Sequence, residues 1–147
     1  MQLLLDEGLP VQLIEPLRRN APHTFDHIDD LKWKSKKDEF LLPDAAARGY
    51  DALVALDVGQ LTEPDLCRVL KKSGLHHISL RQGRTVKGKK GLARVIASIV
   101  VAMPYVLDDL EVEAEQRIVP LQLLAAGARH EVWDPKTARA ELPYWPR

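Results

Sequence analysis

Short apolar runs alternate with longer segments of helical periodicity along the first 107 residues of the chain. Four of these runs are too short for helices, and each is bounded by turn residues, so they predict strands. The runs at 3–5 and 52–56 are wholly apolar, which indicates strands that are buried on both faces of a sheet, whereas 24–28 and 76–80 mix apolar and polar residues. The predicted strands are residues 2–6, 24–28, 51–57 and 76–80.

The segments between the strands carry apolar residues at helical spacing and predict helices. Strand and helix alternate without a hairpin signal, which is the pattern of a parallel sheet covered by helices on both faces. We therefore expect a three-layer α/β/α fold. The predicted helices are residues 10–20, 38–50, 62–72 and 91–107.

Polar residues and glycines mark the expected ends of these helices. Ser35 or Asp38 is expected to cap the helix at 38–50, and Gly49 to stop it. Thr62 is expected to cap the next helix, with Pro64 in its first turn.

The last forty residues follow a different pattern. An acidic stretch at 108–115 precedes residues 117–133, which predict a β-hairpin around Gly127, and a proline-rich tail follows. We therefore divide the chain into an α/β domain at 1–107 and a C-terminal extension at 108–147. The predicted hairpin is a candidate surface for a homodimer or another partner.

Composition limits the classes of function. The 147 residues carry 21 basic and 21 acidic side chains, so no global field attracts nucleic acid or membrane, and a polyanion would need a local patch. The single Cys67 excludes an internal disulfide and predicts a small buried side chain. The longest apolar run, 95–107, contains Pro104 and is too short to span a bilayer, and no signal peptide precedes Asp6. We expect a cytoplasmic protein without a membrane segment, whose histidines are structural.

Acidic residues come at three places that a parallel sheet brings to one edge. Asp6 ends the first predicted strand and Asp57 the third, while Asp38 and Glu39 begin the helix that follows the second strand. Ligands of doubly wound sheets bind outside the carboxyl ends of the strands. Each acid alone also fits a turn residue or a helix cap, but together they predict a cluster. An all-oxygen cluster is typical of Mg²⁺ or Mn²⁺ sites.

Three segments resemble the PIN-like nucleases, a family that includes ribonuclease toxins of bacterial toxin–antitoxin pairs. They are LLLDEGLP, DEFLLPDAAARGYDALVALD and EPDLCRVLKKSGLHHISL, and the resemblance covers residues 1–107. It implies a PIN-like fold, a Mg²⁺- or Mn²⁺-dependent phosphodiesterase activity and an RNA substrate. If the chain is a toxin, it also implies a protein antitoxin as partner.

The resemblance implies that Asp6, Asp38 and Asp57 are the metal-binding acids. Glu7 matches the second acid of the opening motif, and Glu39 competes with Asp38 because a one-residue slip exchanges them. These five residues form the predicted catalytic set.

Two positions depart from the family pattern. The strand that ends on Asp57 often carries Ser or Thr two residues before the acid and a further acid two residues after it. Here those places hold Ala55 and Gly59. A PIN-like interaction module without activity therefore stays an alternative.

Basic residues cluster at 81–94, after the fourth predicted strand and on the same edge as the acids. The cluster leads into a helix whose amino end favours phosphate, so it predicts a grip on the RNA backbone, with a solvated loop as the alternative. The stretch LKWKSKK at 31–37 is a second candidate, since basic residues around one aromatic suit single-stranded nucleic acid. A solvated loop with a packed Trp33 explains it equally well. The predicted RNA-binding residues are Arg81, Arg84, Lys87, Lys89 and Lys90.

A phospho-accepting receiver domain is the alternative from another class. Asp57 would accept the phosphoryl group, with Mg²⁺ on Asp6 and Glu7. Such domains also need a Lys at the end of a fifth strand, and residues 117–123 offer none.

Overall fold

A computed structural model of the chain describes residues 1–56, 59–81, 87–125, 134, 137 and 140. It has a five-stranded sheet in the order β2-β1-β3-β4-β5, in which every neighbouring pair is parallel. Helices pack on both faces, so the predicted three-layer α/β/α class is confirmed. The strands are β1 Gln2–Leu5, β2 Thr24–His27, β3 Ala52–Ala55, β4 His76–Leu80 and β5 Ile118–Leu121.

Five α-helices connect these strands, together with two 3-10 turns at Val11–Leu13 and Ile28–Leu31. The first four predicted strands match β1 to β4, with ends that differ by one or two residues. The helices are α1 Ile14–Asn20, α2 Asp38–Ala47, α3 Gly59–Thr62, α4 Pro64–Ser73 and α5 Gly88–Glu111.

The three central strands are buried on both faces. The unbroken apolar sequences of β1 and β3 predict this, whereas β4 also buries His76, His77 and Ser79. In β1, Leu3 and Leu5 face one helix layer while Leu4 faces the other. Each of these side chains is fully shielded from solvent. The carboxyl ends of these strands are therefore held by a packed core on both faces of the sheet.

Helices α1 and α5 cover one face of the sheet. Leu17 of α1 packs in the same cluster as Val95, Ile99, Met103 and Leu107 of α5. Because these positions recur at helical spacing, one side of α5 is committed to the core.

Helices α2 and α4 cover the other face, with α3 beside α4. Leu41, Leu42 and Ala45 of α2 pack with Leu70 of α4 over the sheet residue Leu53. Residues at the ends of α2 and α3 thereby come to the carboxyl edge of the sheet.

The segment at 117–133, for which a hairpin is expected, begins with a strand that joins the main sheet. Its first arm is β5, which pairs in parallel with β4 and forms an edge of the sheet. The second arm and most of the tail lie outside the described residues. Pro120 lies within β5, where an edge strand tolerates its missing N–H.

Three local expectations are wrong. Lys37 is the N-cap of α2 and makes no side-chain cap bond, so neither Ser35 nor Asp38 caps it. Thr62 ends α3, and α4 begins at Pro64 after Glu63. Cys67 is partly exposed rather than buried.

Helix α5 is long and apolar enough to cross a membrane by length and composition alone. One side of it packs on the sheet, since Ile99, Met103 and Leu107 are fully buried there. Core helices of soluble proteins pass the same test, so α5 does not indicate a membrane protein.

Candidate site at the carboxyl edge of the sheet

The strand order creates a point of divergence between β1 and β3. The chain leaves β1 towards β2 on one side and leaves β3 towards β4 on the other, so a crevice opens where the two connections part. Asp6 directly follows β1 at this point, and its backbone N–H donates to the Val54 carbonyl of β3 over 2.9 Å. The first predicted acid is therefore at the edge where doubly wound sheets bind ligands.

Glu7 fastens a neighbouring loop to this edge. Its Oε2 accepts a hydrogen bond from the Ser35 backbone N–H over 3.0 Å. Ser35 has a φ of 63°, a left-handed conformation that is uncommon for a residue with a side chain. The loop leads directly into α2, so Glu7 helps to fix where that helix begins.

Asp38 is the first residue of α2 and contacts the segment that follows β3. Its Oδ2 accepts a hydrogen bond from Gln60 Nε2 over 2.9 Å. Gln60 lies in α3 and is only 2% exposed. Asp38 is thus tied to the β3 side of the crevice.

The other end of the Gln60 amide is unusual. Its Oε1 is buried and finds no hydrogen-bond partner among the described residues. A buried amide oxygen without a partner costs free energy, and native proteins keep few such atoms. This oxygen is therefore a candidate ligand for a cation or a water molecule.

Gln60 is not among the predicted site residues. Its position one residue after Gly59, where the resemblance expects an acid, is the signal that could have found it. In a sequence, a neutral amide indicates a metal site less strongly than a carboxylate does. Gln60 becomes a candidate only through its contact with Asp38.

Glu39 lies on the outer side of α2 and is exposed. It lines a groove of about 430 Å³ between α2 and α4, which also includes Pro43 and Lys72. Of the two acids at the start of α2, Asp38 is the one that contacts Gln60.

The donor atoms available here suit a hard cation. Asp6 and Asp38 supply carboxylate oxygens and Gln60 an amide oxygen, from segments that follow β1, β2 and β3. Oxygen donors of this kind favour Mg²⁺ or Mn²⁺ over Zn²⁺. Within the described residues, no group of three or more His, Cys, Asp or Glu side chains could hold a metal ion. Asp57, the third predicted ligand, lies outside the described residues.

The described RNA-binding candidates lie directly after β4 and at the start of α5. Arg81 follows β4 directly, Lys87 is the N-cap of α5, and Lys89 and Lys90 lie in its first turn, all exposed. Arg84 lies outside the described residues. The first turn of α5 carries no acidic residue, so its amino-terminal dipole adds to the cationic charge.

Arg94, the last basic residue of the same stretch, has a different position. Its guanidinium donates from Nε and Nη2 to the Leu124 carbonyl, over 3.1 and 2.8 Å. It holds the segment after β5 against α5 and is engaged in the fold.

The second basic stretch contains a packed tryptophan. Trp33 is half-buried, with Lys36 Nζ 4.6 Å and the Arg48 guanidinium carbon 5.7 Å from its ring centroid. Lys36 also pairs with Asp44 of α2. This arrangement matches the packed-Trp interpretation of the loop.

His27, His76 and His77 are buried within the fold. His27 Nε2 lies 2.8 Å from the Leu9 carbonyl, and His76 Nδ1 accepts the Arg117 backbone N–H over 3.0 Å. Burial lowers the pKa of His76. His77 is fully buried, neither ring nitrogen has a hydrogen-bond partner among the described residues, and burial lowers its pKa.

Comparison of the chain with protein-family models, with curated proteins and with solved structures finds no match.

Proposed function

We propose that this protein is a metal-dependent endoribonuclease of the PIN-like type, which hydrolyses RNA phosphodiester bonds at the carboxyl edge of its sheet. The contact that carries the proposal is made by the buried Gln60 amide, whose N–H holds Asp38 and whose oxygen has no hydrogen-bond partner among the described residues. Asp6 stands at the same edge, after β1. Such an arrangement is costly to the fold and is typical of a functional site.

Asp6 and Asp38 would hold Mg²⁺ or Mn²⁺, with Asp57 as the third acid. A bound cation of this type supplies a Lewis acid that stabilises charge on a phosphodiester. Gln60 is a positioning residue, because its N–H fixes the orientation of the Asp38 carboxylate. Glu7 holds the loop that precedes α2 in place. Glu39, at the rim, would assist from the outer side of α2.

The acidic edge alone would repel RNA, so the substrate needs a cationic surface nearby. The overall charge is zero and supplies none. Arg81, Lys87, Lys89 and Lys90 provide local positive charge after β4, and Arg84 belongs to the same sequence stretch. Arg81, Arg84, Lys87 and Lys89 would bind backbone phosphates and orient the strand across the crevice.

The resemblance also implies a biological role. A PIN-like ribonuclease of this size fits the toxin of a toxin–antitoxin pair, which acts in the cytoplasm and is neutralised by a protein antitoxin. The antitoxin would cover the carboxyl edge.

The decisive experiment compares RNA cleavage by the unaltered chain and by three aspartate variants. Asp38→Asn removes the acid that contacts Gln60, while Asp44→Asn changes an acid of the same helix that pairs with Lys36 on the surface. We expect Mg²⁺- or Mn²⁺-dependent cutting that is lost in Asp38→Asn and in Asp57→Asn but kept in Asp44→Asn. Chelation of the metal should also abolish cutting.

The absence of cleavage, together with the absence of Mn²⁺ binding by calorimetry, would contradict the nuclease proposal. That result would favour the interaction module without activity, and the departures at Ala55 and Gly59 would then explain the loss.

The receiver alternative draws support from the strand order, which receivers share. Neither β5 nor residues 122–125 contains the Lys that such a domain needs. Incubation with acetyl phosphate followed by mass spectrometry separates the two functions, since only a receiver would carry a phosphoryl group on Asp57.

A further inference from the structure

The outer side of α5 is apolar where a helix of an α/β layer is normally polar. Ala93, Ala97, Val101 and Tyr105 recur every four residues on the side away from the sheet, and all are exposed. Val101 is 56% exposed and Tyr105 is 74% exposed. We call these four residues the α5 stripe.

Charges of opposite sign bound the stripe. Lys90 lies near the amino end of α5 and Asp108 near its carboxyl end, and both are exposed. At 100° per residue, both lie on the same side of the helix as the stripe. Between them, Arg94 is the single charged residue of α5, and it is bound to the Leu124 carbonyl.

The arrangement is symmetric about Ile99, which lies on the buried side. Lys90 and Asp108 are equally far from Ile99 along the helix, as are Ala97 and Val101, and Ala93 and Tyr105. An antiparallel copy of α5 would therefore place every Lys90 opposite an Asp108. It would also place the large Tyr105 over the small Ala93, and Val101 over Ala97, the alternation that lets packed helices interdigitate.

We propose that the α5 stripe is the interface of a symmetric homodimer, in which α5 pairs antiparallel with α5 of a second copy. Each copy contributes the same surface, as a twofold axis requires. The two Lys90–Asp108 contacts lie about 27 Å apart along the helix and fix its direction, because a parallel pair would oppose like charges. This surface is distinct from the C-terminal segment at 117–133.

The charge pattern favours a second copy over a lipid surface. Helices that lie on membranes carry Lys and Arg along their polar side to meet anionic headgroups. Here the stripe ends at Asp108, and an acidic stretch follows it. A second copy places an opposite charge beside both Lys90 and Asp108, whereas an anionic membrane does so only beside Lys90.

The first test measures the mass of the chain in solution by analytical ultracentrifugation. We expect a species of twice the 16.6 kDa chain mass. Val101→Lys should be monomeric, because it places a charge at the centre of the interface. Val11→Lys is the matched control, since Val11 is 52% exposed on another part of the molecule, and it should stay dimeric.

The second test exchanges charges and reports on direction. Lys90→Glu and Asp108→Lys should each weaken the dimer about tenfold, since each change replaces two attractive contacts by two repulsive ones. The double variant should recover the original affinity. An equimolar mixture of the two single variants should form a heterodimer, because all four facing charges are then complementary.

Three results would overturn the proposal. They are a monomer at every concentration, a dimer that persists in Val101→Lys, and single charge reversals that the double variant does not rescue. Circular dichroism of each variant confirms that the helix is intact. A monomer that sediments with anionic vesicles would assign the stripe to a membrane surface instead.

Discussion

At the scale of single residues, Gln60 shows how a neutral side chain can mark a site. Its amide N–H holds the Asp38 carboxylate, and its oxygen is buried without a partner among the described residues. The two ends of one side chain therefore have opposite effects on stability: the bond to a charged acceptor stabilises the fold, and the unpaired oxygen destabilises it.

Replacing Gln60 by Met should separate stability from metal binding. Gln60→Met keeps the length of the side chain and removes both the bond and the unpaired oxygen, so we expect unfolding free energy to change by about 1 kcal/mol or less. The affinity for Mn²⁺ should fall by about 10- to 100-fold, as for other residues that orient metal ligands. Chemical denaturation and calorimetry measure the two quantities. Unchanged Mn²⁺ affinity would show that Gln60 only packs.

At the scale of secondary-structure elements, the start of α5 combines two kinds of basic residue. Lys87 and Lys89 are exposed, whereas the Arg94 guanidinium is bound to the Leu124 carbonyl. Ser98 reinforces this attachment, because its Oγ accepts the Leu124 backbone N–H over 2.9 Å. Residues that look alike in sequence therefore have different roles.

RNA binding should distinguish these roles. In an Asp38→Asn background, changing both Lys87 and Lys89 to Ala should weaken RNA binding and reduce the log–log salt slope by about 1.4, since each phosphate contact to a single strand contributes about 0.7. Arg94→Ala removes one charge of the same sign, but it should leave the slope unchanged and lower thermal stability. Fluorescence anisotropy at several salt concentrations measures the slopes. If Arg94→Ala lowered the salt slope as much per residue as the Lys87 and Lys89 change, the assignment of different roles would be contradicted.

Most elements could be predicted from the sequence because their signals are local. The apolar runs of β1 and β3 need no knowledge of distant residues. The partner of β5 does, since an edge strand pairs with a segment about forty residues away, and residues 117–133 carry a turn-like signal that favours a hairpin. The Asp38–Gln60 contact is similarly non-local, so the sequence places Asp6 and Asp38 at one edge of the sheet but does not single out Gln60 of α3.

At the scale of the whole molecule, stability depends on a buried histidine in the sheet. His77 of β4 lies between Leu53 of β3 and Ile118 of β5 in the register. It is fully shielded, and burial lowers its pKa, so the folded state keeps it neutral. The unfolded chain exposes the same ring with its ordinary pKa near 6.5.

The sign of the pH effect follows from this difference. Above about pH 6.5 neither state protonates His77, and stability is independent of its titration. Below that value the unfolded state binds a proton that the folded state does not, so stability falls as pH falls, by up to about 1.4 kcal/mol per pH unit. The fall ends at the lowered folded pKa.

His77→Leu should therefore flatten the acid side of the stability profile. His76 contributes in the same direction, because its pKa is also lowered by burial, so the comparison with the unaltered chain isolates His77. Denaturant unfolding between pH 7 and pH 5 measures the slopes. Parallel profiles for the two proteins would show that the folded state admits the proton.

The strand order also has a consequence for synthesis on the ribosome. Asp6, Asp38 and Gln60 are translated well before α5, yet the sheet face that carries Leu5 and Val54 is covered only in part, by α1, until α5 packs there. The sheet that positions the acids cannot become stable while this layer is incomplete. If the chain is the nuclease proposed above, we therefore expect a nascent chain to be unable to cut the messenger that encodes it, and cleavage to begin only after the carboxyl-terminal third has emerged from the exit tunnel.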